Sequence, residues 1–174
     1  MSEYLKIEEG KPYFITYTLV DWIDLFTREC YVNILVDSIR YCQQQKGLEV
    51  YAYVIMPSHV HMIARCEGKL SNILRDMKEH TSKMIIRELL ENPQESRREW
   101  LLEKFTISEQ NQKRQYRVWQ AGNHPEELYS DRFIDQKEKY IHMNPVEVGI
   151  VSRPEHYRLS SASDESPIKV LSLR

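Results

Sequence analysis

The sequence predicts an α+β fold in which helices cover mainly one face of an antiparallel sheet. Short runs of β-branched and aromatic residues alternate along the chain with longer stretches whose apolar residues recur every three or four positions. The order of these segments is strand, helix, two paired strands, helix, strand and helix. Such an order is typical of ferredoxin-like and RRM-like arrangements.

The spacing of apolar residues predicts the first strand and the first helix, because it follows a two-residue repeat in one segment and a three- to four-residue repeat in the next. Residues 13–20 alternate between the two faces of a strand, whereas residues 27–45 carry apolar side chains at helical spacing and are followed by the Lys-Gly pair at 46–47. Residues 48–56 and 59–66 are two apolar runs separated by a short break. We expect them to form two strands joined by a tight turn.

The middle of the chain predicts two helices and a strand. Ser71 is placed to cap a helix that ends before the Asn-Pro pair at 92–93, and a further helix is expected within residues 95–105. Residues 108–114 are polar and predict an exposed loop. Residues 115–120 form a compact strand candidate.

The last helix is predicted from residue 131 to about residue 143. Ser130 is a suitable N-cap, and an acidic residue in the first turn suits the helix dipole. Pro145 is expected to close the helix. From Pro154 onward the composition suggests a loosely structured tail.

Length and charge indicate one domain and leave the kind of partner open. The chain has 174 residues and a net charge of −2, whereas proteins that grip duplex DNA non-specifically usually carry a large positive excess. The central segment is nevertheless rich in cations, which fit either a local nucleic-acid groove or ordinary solvated helix faces. These cations are Arg75, Lys78, Lys83, Arg87, Arg97, Arg98, Lys104, Lys113, Arg114 and Arg117.

Membrane association and disulfide bonding are not expected. No run of about 18 apolar residues occurs, and the chain starts with a polar segment, so a soluble, cytoplasmic protein is predicted. Three cysteines at wide spacing fit neither a disulfide framework nor a zinc site, and reduced thiols are expected. Cys66 in particular should face the core, since its strand parity differs from that of the nearby histidines.

Two histidines on a predicted strand are candidate metal ligands. His59 and His61 are two positions apart, so their side chains leave the same face of the strand about 6 to 7 Å apart. Val60 between them should point into the helix-covered core. Taken alone, the pair fits solvent-facing or hydrogen-bonded histidines better than it fits a metal site.

The predicted last helix carries a second candidate pair. Tyr140 and Asn144 are four residues apart, which places them on one helix face within about 6 Å of each other. A nucleophile and a metal ligand can share that face. An ordinary tyrosine packed on the sheet and an asparagine that ends the helix explain the same residues.

The residues around these two pairs resemble a known family. Residues 54–62 (VIMPSHVHM) and 140–146 (YIHMNPV) resemble motifs of the REP-associated tyrosine transposases, a branch of the single-tyrosine HUH transposases. Further likeness at residues 118–120, 123–125 and 149–154 extends the resemblance over about residues 13–162. Two departures are Ser58, where many relatives have asparagine, and an asparagine as third ligand where mobile-element relatives have glutamine.

This resemblance implies a single HUH transposase-like catalytic domain over residues 1–162, followed by a C-terminal tail over 163–174. His59, His61 and Asn144 would hold a divalent metal ion, magnesium or manganese. Tyr140 would attack the scissile phosphate to give a 5′-phosphotyrosine and a free 3′-hydroxyl, a step that another 3′-hydroxyl can reverse. Magnesium prefers oxygen ligands, so on chemical grounds the imidazole pair suits manganese, iron or zinc better than magnesium.

The resemblance also implies a partner. Relatives recognise hairpins or palindromic repeats in single-stranded DNA. Mobile-element relatives form dimers whereas the REP-associated branch resembles monomers, so the oligomeric state stays open and a monomer is favoured. Lys137, one turn before Tyr140, could meet a DNA phosphate, although an exposed helix lysine is the commoner explanation. His142 projects from nearly the opposite side of the helix, so we exclude it from the metal site.

Two other functions remain compatible with the sequence. A non-catalytic RRM-like module would stack bases on sheet aromatics and leave the histidines incidental. A metal-dependent nuclease would activate water with the same ligands and leave Tyr140 as scaffolding. The first predicts binding without a covalent intermediate, and the second predicts cut DNA without a protein adduct.

Overall fold

A computed structural model describes residues 7–110 and 113–173, and the predicted α+β fold is confirmed. Within these residues no helix meets both the length and the hydropathy that a bilayer crossing requires. The strands and helices, in chain order, are β1 (Tyr13–Thr18), α1 (Glu29–Gln45), β2 (Glu49–Ile55), β3 (His59–Arg65), α2 (Leu70–Glu91), α3 (Arg98–Phe105), β4 (Thr106–Gln110), β5 (Lys113–Tyr116), β6 (Glu126–Glu127) and α4 (Asp131–Glu147).

The main sheet has four antiparallel strands in the order β2-β3-β1-β6. Strand β3 therefore lies in the middle, paired on one side with β2 and on the other with β1. In that pairing Thr16 lies opposite His61 and Thr18 lies opposite His59. Strands β4 and β5 form a separate antiparallel hairpin where the sequence predicted an exposed loop over residues 108–114, so that prediction was wrong.

Both faces of the sheet are covered, by different helices. The larger core joins α1 and α2 to one face, and Val60 and Met62 of β3 belong to it. A smaller cluster lies under α4 on the other face and includes Ile63 of β3, Phe14 of β1 and Ile141 of α4. Since side chains alternate along a strand, His59 and His61 lie on the α4 side with Ile63. Cys66 is buried in the larger core, as predicted.

Helix α4 begins as predicted but ends later. The Phe133 N–H donates to the Ser130 side chain at 3.3 Å, which confirms Ser130 as the N-cap. Pro145 does not close the helix, because a proline in the last turn removes a single backbone hydrogen bond. The helix ends just before Gly149, whose φ of +76° lies in the left-handed region, a backbone conformation that glycine adopts with little strain. Ser71 is not a cap either, since α2 starts one residue earlier.

The segment after Pro154 is ordered against the sheet, unlike the loose tail that the sequence suggested. The Tyr157 hydroxyl donates to the Ile55 carbonyl at 2.8 Å, and Ser160 forms an isolated bridge with Val54 of β2. Further along, Ile168 is buried in the larger core. These contacts join residues about a hundred positions apart. The domain boundary at residue 162 stays a prediction.

A buried carboxylate connects α1 to the turn before α3. Glu95 accepts a hydrogen bond from the Tyr31 hydroxyl at 2.9 Å and from the Arg97 backbone N–H at 2.9 Å. Arg28 and Arg97 also pair with it, at 3.2 and 3.4 Å. Burial alone would raise the pKa of Glu95, but these hydrogen bonds and positive charges outweigh burial and lower that pKa.

Replacing Glu95 with alanine should lower the free energy of unfolding by about 2–3 kcal/mol at neutral pH, since it leaves the buried Tyr31 hydroxyl without an acceptor. An acid whose pKa is lowered by folding stabilises the native state above its unfolded pKa and loses that contribution as the pH falls. The difference in the free energy of unfolding between the variant and the parent should therefore become smaller as the pH falls.

Urea unfolding at several pH values measures this difference. Glu91 is a matched control, because it forms an exposed ion pair with Arg87 and its loss should cost only a few tenths of a kcal/mol. Equal stability losses in the Glu95→Ala and Glu91→Ala variants would contradict the assigned role of the buried carboxylate.

Candidate active site

The predicted histidine pair comes together on the α4 face of the sheet. The imidazole centroids of His59 and His61 are 4.8 Å apart with their planes at 71°. His61 is buried, whereas His59 is half-buried. The two rings thus converge at one end of the central strands, as the strand parity predicted.

Each imidazole is oriented by a hydroxyl group. His61 Nδ1 lies 2.9 Å from Thr16 Oγ1, and His59 Nδ1 lies 3.2 Å from Ser58 Oγ. In the tautomer that donates from Nδ1, each Nε2 keeps a free lone pair for another partner. Metal-binding histidines are usually oriented by such a hydrogen bond from the second ring nitrogen, although the acceptor is most often a carboxylate, a backbone carbonyl or water.

Burial keeps both rings neutral. It lowers the pKa of His61 to about 3, with smaller contributions from the neighbouring His59 and Lys137. Burial also lowers the pKa of His59. The neutral form that binds metals therefore persists below the ordinary titration range of histidine.

Tyr140 lies directly against this pair. Its hydroxyl oxygen is 3.5 Å from His61 Nε2, and the two ring centroids are 5.2 Å apart. Phe14 of β1 packs on both rings, stacked on His61 at 5.3 Å and edge-on to Tyr140 at 5.9 Å. Tyr140 as a whole is 41% exposed, so the ring is held against the pair while part of the side chain faces solvent.

The remaining predicted residues of α4 divide as expected between its faces. Asn144 lies one turn after Tyr140 and is buried, and within the described part of the chain its amide makes no hydrogen bond. The oxygen and nitrogen atoms of the amide are thus available to another partner. His142 points elsewhere, with Nε2 2.9 Å from Ser161 Oγ. Its exclusion from the histidine pair agrees with this contact.

Lys137 lies at the edge of the same site. Its ammonium is 4.3 Å from the centroid of the Phe14 ring and 2.8 Å from a carboxylate oxygen of Glu126. The lysine side chain is 18% exposed, so it is far from the fully solvated helix lysine that sequence alone favours. It places a positive charge within one helical turn of Tyr140.

Many cations of the central segment are neutralised within the protein. Ion pairs engage Arg75, Lys83, Arg87, Arg97 and Lys104. Lys78 is partly buried, and its ammonium donates to the carbonyls of Gln120 and Gly122. The solvated-face explanation thus holds for several of them, and the site lies elsewhere, between β3 and α4.

Thr16, Phe14 and Trp22 of this site were not identified from the sequence. Thr16 and Phe14 alternate with core residues on β1, a signal that assigns them to one face without indicating what lies opposite. Only the β1–β3 register brings them against His61. Trp22 follows β1 in a turn and packs edge-on against His59, with ring centroids 5.4 Å apart.

Comparison with known proteins assigns the family. A family described as "Transposase IS200 like" matches residues 23–144, which include both histidines, Tyr140 and Asn144. The chain belongs to the IS200-like transposases. The family resemblance indicated by the sequence motifs is thereby confirmed. A search of curated proteins finds no match to this transposase.

One solved structure shows the fold of this transposase over nearly the whole chain. A REP-associated tyrosine transposase bound to a REP hairpin superposes with a TM-score of 0.66 at 18% identity, over 99% of this chain and 100% of that one. A protein of Deinococcus radiodurans R1, provisionally described as a transposase, gives a TM-score of 0.47 at 17% identity, over 81% and 95% of the two chains. The first likeness extends the shared fold beyond the family match to nearly the whole chain.

Proposed function

We propose that this transposase cuts and rejoins single-stranded DNA at hairpins, with Tyr140 as the nucleophile and a divalent metal ion held by His59, His61 and Asn144. The observation that carries the proposal is the 3.5 Å approach of the Tyr140 hydroxyl to His61 Nε2, between residues 79 positions apart on β3 and α4. The IS200-like family and the hairpin bound to a structural relative support the choice of substrate.

The donor set fits a divalent ion. Two neutral imidazoles are oriented by Thr16 and Ser58, and the buried Asn144 amide has no hydrogen-bond partner among residues 7–110 and 113–173. No cluster of three or more His, Cys, Asp or Glu side chains suited to a metal occurs in those ranges, so the amide oxygen is the third ligand that we assign. A bound Mn²⁺ or Mg²⁺ would polarise the scissile phosphate and stabilise charge on its oxygens.

The protein's own groups position and carry out the attack. Phe14 and His61 hold the Tyr140 ring, and the Tyr140 side chain is partly exposed to solvent. The phenol loses its proton, its oxygen forms a bond to phosphorus, the bond from phosphorus to the 3′ oxygen breaks, and that oxygen takes up a proton. The product is a 5′-phosphotyrosine, and attack by a 3′-hydroxyl reverses the step.

Labelled DNA tests this proposal. The protein is incubated with Mn²⁺ and a hairpin that carries single-stranded flanks and a label at either its 5′ or its 3′ end, and the products are separated after denaturation. We expect the 3′-labelled fragment to migrate with the protein and the 5′-labelled fragment to be released with a free 3′-hydroxyl.

The two other functions give different products in the same assay. A nuclease that uses water would release both labelled fragments from the protein. A non-catalytic RRM-like module would shift the intact hairpin in a native gel and leave it uncut. Either outcome would overturn the tyrosine mechanism.

Lys137 is the residue that we propose for contact with a phosphate near the cleaved bond. Its ammonium now pairs with the half-exposed Glu126, a partner that a DNA phosphate can replace. Lys137→Gln should weaken hairpin binding several-fold and lower the slope of log K against log salt by about one. Lys139→Gln, an exposed position on the same helix, is the matched control. Equal slopes for the two variants would contradict the contact.

A further inference from the structure

Trp22 is an exposed indole at the edge of the histidine pair. Its side chain is 58% exposed, although tryptophan is among the residues that gain most from burial. Its ring centroid is 5.4 Å from that of His59, and the two planes meet at 72°. The rings therefore do not stack face to face, and much of the indole surface is open to solvent.

The backbone holds Trp22 there in a strained conformation. Trp22 has a φ of +54° and Asp21 a φ of +53°, in the left-handed region that side chains with a Cβ rarely adopt. Such conformations persist only when the surroundings impose them, and they concentrate at functional sites.

The surroundings of this turn do impose its shape. Leu19 and Ile23 on either side are buried in the larger core, and the Trp22 N–H donates to the Leu19 carbonyl at 3.2 Å. Lys104 of α3 pairs with the Asp21 carboxylate at 3.2 Å and connects the turn to a neighbouring helix. The turn is thus fixed at both ends, and the indole is the part directed outward.

We propose that Trp22 is a stacking platform for one unpaired base of the DNA strand that is cut, next to the scissile phosphate; this inference rests on the proposed function. A single-stranded nucleotide exposes both faces of its base, and aromatic side chains bind such faces with little sequence preference. An indole that is exposed, rigidly held and in contact with His59 offers that surface beside the site of cleavage. Trp22 would position the strand and take no part in the chemistry.

Binding measurements with a protein that cannot cleave test this role. In the Tyr140→Phe background, affinity is measured for a hairpin with single-stranded flanks and for a series of the same hairpin with one abasic position at a time. Trp22→Ala should weaken binding of the intact hairpin roughly ten- to a hundredfold. Trp22→Phe, which keeps an aromatic face, should recover most of this loss.

The abasic series separates stacking from a general structural effect. In the Tyr140→Phe protein that keeps Trp22, one abasic position should weaken hairpin binding by about the same factor as Trp22→Ala does. In the Trp22→Ala variant, the same abasic position should not weaken binding further. Tyr41→Ala is the matched control, because Tyr41 is equally exposed, at 57%, on α1 across the sheet. It should bind every hairpin like the parent.

The outcomes distinguish this inference from the function on which it rests. If the parent binds the hairpin and Trp22→Ala binds it equally well, only the stacking role is overturned. The same follows if Trp22→Ala weakens every abasic hairpin by the same factor as the intact one. If the parent binds neither the hairpin nor its flanks, the proposed function fails, and the stacking role fails with it.

Discussion

Tyr140→Phe should abolish the covalent protein–DNA adduct and reduce strand cleavage by at least about a thousandfold. The substitution removes only the hydroxyl oxygen, which is the atom that we expect to form the bond to phosphorus. The substitution also removes the 3.5 Å contact of that oxygen to His61 Nε2, but the ring contacts to His61 and Phe14 do not involve the oxygen and should keep the packing of the site. Hairpin binding should therefore change little.

Two measurements on one set of samples check this result. Denaturing gels report the adduct, and fluorescence anisotropy of the labelled hairpin reports binding. Tyr129→Phe is the matched control, because Tyr129 is the most exposed of the large hydrophobic side chains described, at 80%, and lies just before the N-terminus of α4. It should cleave at the parent rate. An adduct that persists in Tyr140→Phe would assign the nucleophile to another residue.

The residue pairs of the site were predictable because each depends on local geometry. His59 and His61 share a face through the two-residue repeat of one strand, and Tyr140 and Asn144 share a face through the four-residue repeat of one helix. The burial of Val60 and Cys66 follows from the same alternation. None of these predictions requires knowledge of what lies across the sheet.

Contacts between distant segments account for what was missed. Thr16 orients His61 only because β1 and β3 pair in one particular register, which periodicity does not reveal. The β4–β5 hairpin is polar, so it lacks the apolar alternation by which strands are recognised. The ordered C-terminal segment depends on single anchors such as Ile168, which fill a core built by earlier elements.

Proline and backbone conformation were the other sources of error. Pro145 was expected to end α4, yet the last turn tolerates it, and the helix instead ends where Gly149 can adopt a left-handed conformation. The later end keeps Asn144 within the helix, one turn from Tyr140, which strengthens the four-residue relation between them. The exposed Trp22 could not be anticipated, since its placement depends on a left-handed turn of residues that contain a Cβ.

Single substitutions of His59 or His61 by alanine should lower cleavage by at least about a hundredfold while hairpin binding largely survives. Groups that only orient a ligand already contribute roughly 10- to 100-fold to metal affinity or activity, and removal of the ligand itself should cost no less. The double variant should be little worse than either single one, because both rings would serve one ion.

Metal titration separates this role from simple loss of packing. Binding of Mn²⁺ to the parent, followed by calorimetry without DNA, should be lost in both histidine variants and retained in His80→Ala, an exposed histidine of α2. Thermal unfolding shows whether each variant is folded, which matters because His61 is buried.

Metal binding at the site should be lost at a lower pH than metal binding to two histidines with ordinary pKa values. Burial lowers the pKa values of His59 and His61, so protons compete with the metal only below pH 6.5, as the pH falls towards the lowered values. Metal binding that is already lost between pH 7 and 6 would contradict the neutral, buried pair.

Cleavage that is unchanged in both alanine variants would remove these histidines from the metal site, and the position of Tyr140 beside them would then need another explanation.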